Sequence, residues 1–365
     1  MKFLLAQELF REGASDPHGL LAILRFAFEG RHSVWVEGDD FEAWLARRSD
    51  PERHWVRRAV DDSLRSAPHI EKVVVRVCAV ASSRWSARPP ELTLTDACAL
   101  AHAPLRLVLE DFEDDAHFLR WLGRALDDSF WQRVDHAMRR GWAEVVHGGG
   151  TGSMLRLVKA LDDARTDLPW GMVDASDRLK PSQRAQRTWV MFDHDGVEPG
   201  DDKRGPTPLK LVEHTATRDV GAHCLARRSI ENYLPLVLLR RWAKGDFDDP
   251  NRLIPQEERE RRHVLVGAFA RLKPTRQHHY YFREGLRKDA RRDGTLPPVW
   301  APTEVDDQIK VDDLWALACG FDALDRDGIT RLFGHPGARV KASVLRDDGS
   351  HDEAKAILRS IAEAL

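Results

Sequence analysis

The sequence predicts an α/β protein: a parallel sheet flanked by helices in its middle third, an N-terminal α/β extension, and a mostly helical C-terminal region. Three observations carry this prediction. The runs LRLVL and TWVMF are short, apolar and bounded by polar residues, the pattern of strands buried on both faces, and AEVVH reads as a further strand between them. Segments with helical periodicity, DDAHFLRWLGRAL and MLRLVKALDDA, alternate with them, and such alternation implies parallel strands joined by crossover helices. From about residue 236 the apolar spacing is almost wholly helical.

In chain order, LLAILRFAFEG and the stretch DDFEAWLARRSDPERHWVRRAVDDSLRS read as helical, whereas KVVVRVCAV is β-branched and reads as a strand. Pro89 and Pro90 make SSRWSARPPE a loop. LTDACALAH then reads as a short helix, and Pro104 precedes the LRLVL strand that leads to Glu110. After the helix DDAHFLRWLGRAL come an irregular or helical stretch, the strand AEVVH, the turn HGGGTGS, the helix MLRLVKALDDA and the strand TWVMF. Residues 201–208 form a polar loop, and AHCLARRSIENYLP reads as a last strand running into a helix. VLLRRWAKG, ERERRHVLVGAFARL, VDDLWALACGFDAL and DEAKAILRSIAEAL are the clearest helices of the tail. The implied domains are 1–100, 101–235 and 236–365, with no internal repeat and no low-complexity tract.

Composition narrows the class. A chain of 365 residues with 42% hydrophobic and 32% charged residues is globular rather than disordered. It has no apolar stretch long enough to span a bilayer, and MKFLLAQELF is too short for a secretory signal. Cys78, Cys98, Cys224 and Cys319 stand far apart, which excludes a disulfide scaffold or a zinc finger and makes a reduced, cytoplasmic setting the expectation. The net charge of −3 hides an uneven distribution, because residues 227–292 hold 17 Lys or Arg against 9 Asp or Glu. Basic surface beside a carboxylate site suits a phosphodiester; a solvated helical face is the plainer alternative.

The candidate chemistry lies in scattered acids. Glu110 follows LRLVL, Asp193 and Asp195 follow TWVMF, and Glu231 stands in RRSIENYLP. Ligands of open α/β sheets bind at the carboxyl ends of strands. If strand conformation persists past Phe192, Asp193 and Asp195 point to the same side. With Glu110 from a neighbouring strand they would make a hard-oxygen site for Mg²⁺, which takes one or two carboxylates and keeps several waters. Asp111, Glu113, Asp114 and Asp115 suit the positive end of a helix dipole, an explanation that does not reach Glu110.

HGGGTGSM places Gly148, Gly149, Gly150 and Gly152 between a strand and a helix. Glycine there lets the backbone approach a phosphate or a neighbouring loop. Neither a GK[ST] sequence nor a dinucleotide fingerprint accompanies it, so the chain shows no ATPase motor of its own. His147, His194 and His223 read as supporting polar groups. The 12 Trp read mostly as core, with base stacking by Trp, Tyr280 or Tyr281 as the functional alternative.

VMFDHDGVEPGD fits two families. It is similar to the first motif of haloacid-dehalogenase-type phosphatases, which would make Asp193 a nucleophile and require a later strand ending in an acidic pair. IKVDDLW is the candidate for that pair, and the reading leaves Glu110, the glycine turn and IENY without roles. The order of all the features instead resembles a Toprim domain, more narrowly the Toprim half of OLD-family nucleases and related bacterial defence effectors. Glu110 and Asp114 stand as its Glu-Asp-x-x-Asp, Gly148 to Gly150 as its glycine turn, and Asp193 and Asp195 as its Asp-x-Asp. Arg228, Ile230, Glu231, Asn232 and Tyr233 match the Arg-x-Ile-Glu-Asn-Tyr of the OLD-like branch. The resemblance spans roughly residues 105–235 and continues more weakly to about 335.

Two departures stand out. Val36, Glu37, Gly38 and Asp40 form a second Toprim-like string, which makes Glu37 a rival first glutamate. Arg283 in HHYYFREGL stands where the family usually has Lys, and the two cations differ at phosphate sites. The resemblance implies a nuclease using one or two Mg²⁺ or Mn²⁺ ions held by Glu110, Asp193 and Asp195, with Asp114 and Glu231 supporting a second ion or orienting water. Arg228 or Arg283 would neutralise charge on the phosphate. It further implies DNA or RNA as substrate, a regulatory ATPase or other defence-system protein as partner, no membrane, and room for a homo-oligomer. A non-catalytic Toprim-like binding subunit is the alternative within the same family. Strand passage or primer synthesis ranks below both, for want of a tyrosine-bearing topoisomerase domain or a zinc-binding primase segment.

Overall fold

The computed structural model describes residues 1–13, 16–66, 74–126, 129–161, 185–251, 254–290, 295–297, 300, 309, 311–325 and 327–365. Among the described residues, eight strands form two separate four-stranded sheets, both parallel throughout. The first contains β1 (Lys2–Leu5), β2 (Ser33–Val36), β3 (Val74–Val77) and β4 (Glu91–Leu92), in the order β2-β1-β3-β4. The second contains β5 (Leu105–Leu109), β6 (Ala143–His147), β7 (Thr188–Phe192) and β8 (Gly221–Cys224), in the order β6-β5-β7-β8. The N-terminal and middle parts therefore repeat one strand order, although no repeat is legible in the residues.

Burial in the second sheet follows strand position. The neighbouring central strands are the most apolar: β7 is buried at every residue and β5 at all but Arg106. The edge strands carry Glu144, His147 and His223 and stay partly accessible. One sheet face, with Leu105, Leu107, Leu109, Trp189 and Met191, packs on the helix Asp114–Leu126 and on Trp242, Phe269, Tyr280 and Phe321 of the C-terminal part. The opposite face sets Val108, Val190 and Phe192 against Met154, Val158 and Leu211. The helical tail thus shares its core with the second sheet, and no break in packing falls at residue 236. The last helix, His351–Ala364, returns to β7, where Trp189 Nε1 donates to Ser360 Oγ at 2.9 Å.

The first sheet has its own core, built from residues such as Phe3, Leu5, Leu24, Val34, Val75 and Leu100. Its β1 and β2 go beyond the sequence expectation, because each is a four-residue run too short to show a period. The stretch read as one helical segment is broken into Asp40–Ala46 and Asp50–Ser66. Ser49 makes the break: its backbone N and its Oγ both donate to Glu52 Oε2, at 3.1 and 2.9 Å, which caps a new helix. Of KVVVRVCAV, Lys72 and Val73 lie outside the described residues, as do the last residues of MLRLVKALDDA. No helix among the described residues is long and apolar enough to cross a membrane.

Candidate active site

β5 and β7 are hydrogen-bonded neighbours, with Leu109 opposite Met191. The residues that follow them therefore leave the sheet at the same rim. A cavity of about 370 Å³ opens there, and seven carboxylates line it: Glu110, Asp111, Asp114, Asp115, Asp193, Asp195 and Glu231. His147, Tyr281 and Arg283 line it as well, and Arg283 is the one Lys or Arg that does so among the described residues.

Glu110 is held by the glycine turn. Gly148 N donates to Leu109 O at 2.6 Å, and Thr151 N, at the start of the helix Thr151–Ala160, donates to Glu110 Oε1 at 3.3 Å. A Cβ on Gly148 would lie 2.4 Å from Met154 Cγ and 2.7 Å from Leu109 O, so no larger residue fits between strand and helix. Gly149 and Gly150, at φ 68° and 85°, complete the turn in the left-handed region. The anion that the helix N-terminus receives is thus the Glu110 carboxylate. Of the three glycines expected at a cofactor, Gly149 and Gly150 line the cavity and Gly148 serves the turn.

Asp193 and Asp195 reach the cavity by a route other than strand alternation. β7 ends at Phe192 and Asp195 adopts φ 56°, so a left-handed turn delivers the second carboxylate. Asp195 N donates to Arg228 O at 3.1 Å, and Gly205 approaches so closely that a Cβ there would stand 2.9 Å from Asp195 Cβ. His194 fixes the turn from within: its Nδ1 accepts from Gly196 N at 3.1 Å, which leaves Nε2 to donate to Gly200 O at 3.0 Å. His279 adds a hydrogen bond from Nδ1 to Gly196 O at 3.0 Å. Burial lowers the proton affinity of both rings, to about 4 for His279.

The RRSIENY segment joins the sheet to the helical tail. Ser229 and Asn232 cap the short 3-10 helix Ile230–Tyr233, and Asn232 Nδ2 donates to Gln277 O and Tyr280 O at 2.7 and 2.9 Å. Tyr233 Oη donates to Glu353 Oε2 at 2.6 Å, and Glu353 also holds His223 Nε2 at 3.0 Å. Glu231 is left pointing at the cavity, buried, with Arg283 Nε 3.4 Å away. Asp114 Oδ2 accepts from Thr330 Oγ1 at 2.8 Å, and Asp115 Oδ2 accepts from Asp111 N at 3.1 Å.

The acids are electrostatically uncomfortable. Burial, followed by the charge of Asp195, pushes Glu110 up to about 7. Asp193 is raised well above the carboxylate range by burial and then by Glu110. Burial is also the main cause that lifts Asp115 to about 8 and raises Asp114 and Asp195. Glu110 Oε2 is buried and meets no hydrogen-bond donor among the described residues. Such an orphaned acceptor among like charges is satisfied by a cation or a proton. Among the described residues, no three His, Cys, Asp or Glu side chains form a ready-made metal cage. The donors are carboxylates available singly or in pairs, which fits a hard cation that keeps much of its water.

Several expectations change. Arg228 does not line the cavity: its guanidinium is buried, with Nη1 and Nη2 each 2.7 Å from an Asp289 oxygen. It is therefore committed to an ion pair and does not face a phosphate. Much of the basic excess of residues 227–292 is similarly engaged, since Arg227 pairs with Asp348 and Arg262 with Asp248 and Glu258. Glu37, the rival first glutamate, is bound to Arg76 at 2.9 Å in the first sheet and is absent from the cavity lining. Tyr280 is core, whereas Tyr281 lines the cavity. The acidic pair of IKVDDLW opens the helix Val311–Leu317, not a strand end, and Asp313 pairs with Arg271.

The helix dipole does not account for Asp115, which occupies the buried stripe Asp115, Phe118, Leu119 and Leu122. That apolar spacing was a legible signal, because an acid on a core-facing stripe needs a partner or a task. Comparisons with protein-family models, curated proteins and solved structures return no match for this chain.

Proposed function

We propose that the chain is a Mg²⁺- or Mn²⁺-dependent nuclease with a Toprim-like second sheet, hydrolysing phosphodiester bonds of DNA or RNA. One observation carries the reading: Glu110, Asp193, Asp195 and Glu231, remote in sequence, line one cavity at the carboxyl rim of a parallel sheet. The motif order of the Toprim resemblance supports it. So does the adjacency of β5, which leads to Glu110, and β7, which leads to Asp193.

Glu110, Asp193 and Asp195 would hold the ion, with Asp114 and Glu231 beside them. A divalent ion in such a site lowers the pKa of an attacking water and stabilises a departing oxygen. The remaining work falls to the protein. Thr151 N and the glycine turn orient Glu110. His194 and His279 lock the turn that presents Asp193 and Asp195. Glu231 keeps Arg283 charged and aimed at the cavity, where the guanidinium takes up charge building on non-bridging phosphate oxygens. The resemblance extends the proposal to a defence effector governed by a separate ATPase or other partner, since the chain carries no GK[ST] loop.

A Mn²⁺ titration with plasmid, single-stranded DNA and RNA, run on wild type and on Asp193→Ala, tests the reading. Loss of cleavage in a variant that keeps its thermal transition is expected. Undiminished cleavage by the folded variant removes Asp193 from the mechanism. Nucleic-acid or partner binding by a wild type that takes up no Mn²⁺ would favour a non-catalytic subunit. A trapped phosphoaspartate would favour the phosphatase.

A further inference from the structure

We infer that Tyr281 forms a base-stacking subsite beside the carboxylates and that the substrate is a single-stranded polynucleotide; this rests on the nuclease reading. Tyr281 lines the cavity together with the acids. The Arg228 guanidinium lies 4.7 Å from its ring centroid and Lys288 Nζ lies 5.3 Å from it. Arg228 is not free to follow a moving ring, because Asp289 grips it with two hydrogen bonds and His279 O accepts a third at 3.2 Å. The ring therefore rests on a rigid cationic support. This gives the buried Arg228–Asp289 pair, which does not line the cavity itself, a positioning task beside it.

A preorganised aromatic ring is what an unpaired base stacks on, with little dependence on sequence. In a duplex the base faces are already occupied by their neighbours, and a base must leave the stack to meet a side chain. The cavity, at about 370 Å³, falls at the small end of ligand pockets and admits a nucleotide-sized unit rather than a double helix. Phe112 adds a second ring: it is 54% exposed in the loop whose neighbours Glu110, Asp111 and Asp114 line the cavity. Lys288, about half exposed and 3.6 Å from Glu284, would supply a cation for the next phosphate.

The test uses the full chain with Mn²⁺ and oligonucleotides of one sequence as single-stranded DNA, single-stranded RNA and blunt DNA duplex, with 2-aminopurine replacing individual bases. Wild type should cleave a single strand faster than the duplex and quench the fluorophore at one position. The DNA and RNA arms decide which polymer is preferred. Tyr281→Ala should raise KM roughly tenfold, the order expected for one stacked base, abolish the quench and leave kcat within about a factor of two. Tyr281→Phe should behave as wild type, which separates loss of stacking from misfolding, and Phe112→Ala should give a smaller rise in KM. An unchanged KM and quench in a folded, cleaving Tyr281→Ala protein overturns the subsite alone, and equal cleavage of duplex and single strand overturns the substrate class. If wild type neither binds nor cleaves any of the three, the nuclease reading itself fails.

Discussion

Replacing Glu110 with Gln should make the metal-free protein more stable at pH 8 while removing its response to Mn²⁺. Raising Glu110 from its ordinary 4.5 to about 7 penalises the ionised form by about 3 kcal/mol, at 1.36 kcal/mol per pH unit. Gln removes that penalty and keeps the acceptor that Thr151 N uses. It forfeits the charge at a helix N-terminus, worth about 0.3–1 kcal/mol, so the net gain is roughly 2 kcal/mol. For a chain of this size that corresponds to a Tm rise on the order of 3 °C. Because the folded protein holds this proton more tightly than the unfolded chain, wild-type stability falls as pH climbs from 4.5 to 7 and levels off above. The advantage of Glu110→Gln should therefore be absent near pH 4.5, open through pH 7 and stay constant at pH 8. Thermal unfolding in chelator across that range, repeated with Mn²⁺, measures it; added Mn²⁺ should lift wild type far more than the variant. A variant that unfolds at or below wild type at pH 8, or a gap indifferent to pH, would refute the picture of Glu110 as an uncompensated buried acid.

Other expectations follow from the same geometry. Glu37→Gln should cleave like wild type where Glu110→Gln is inactive, since Glu37 pairs with Arg76 in the first sheet; equal loss in both would return Glu37 to the site. Arg228→Ala should cost about 3–5 kcal/mol in urea unfolding by leaving the buried Asp289 without its countercharge and with only Trp300 Nε1 as a donor among the side chains described, and a milder loss would mean that Asp289 relaxes to water. Apparent Mn²⁺ affinity should rise at least about fivefold between pH 6 and 7, because the proton on Glu110 must leave before the carboxylate binds and Asp193 is raised as well. Calorimetry in two buffers of different ionisation heat counts that proton, and a binding heat independent of buffer would contradict its release.

How much of this could be read from residues alone depends on the range of the interaction involved. β5 and β7 were legible because burial on both faces makes a strand apolar almost throughout, a purely local signature, whereas β6 is an edge strand that only Val145 and Val146 mark. β1 and β2 were not, since four residues are too few to show a period. At the site, position after an apolar run identified Glu110, Asp193 and Asp195 as residues at strand ends, and the Arg-x-Ile-Glu-Asn-Tyr resemblance added Glu231. The partners of the arginines were hidden, because Arg228 meets Asp289 across 61 positions and Arg227 meets Asp348 across 121. A basic segment counted as free surface thus contains buried ion pairs. The conformation of Asp195 was equally out of reach: alternation along a strand places two carboxylates on one side, but the strand stops first and a left-handed turn does the work.

The charge around the cavity constrains the order in which ligands can enter. Seven carboxyl groups, not all ionised before metal binds, face Arg283, and a polyanion entering first would meet the ionised ones in a desolvated setting, where Coulomb repulsion is weakly screened. A divalent cation entering first meets the opposite situation: it offsets the burial and the mutual repulsion that raise Glu110 and Asp193 and satisfies the orphaned Glu110 Oε2. Under the nuclease reading, metal must therefore bind ahead of nucleic acid, and the two affinities must be coupled by the same factor in both directions. Fluorescent oligonucleotide binding measured with and without Ca²⁺, and Ca²⁺ binding measured with and without oligonucleotide, should give equal ratios. Tight oligonucleotide binding in chelator, unaffected by the ion, would mean that the strand is held away from the acids and that this cavity is not where it reacts.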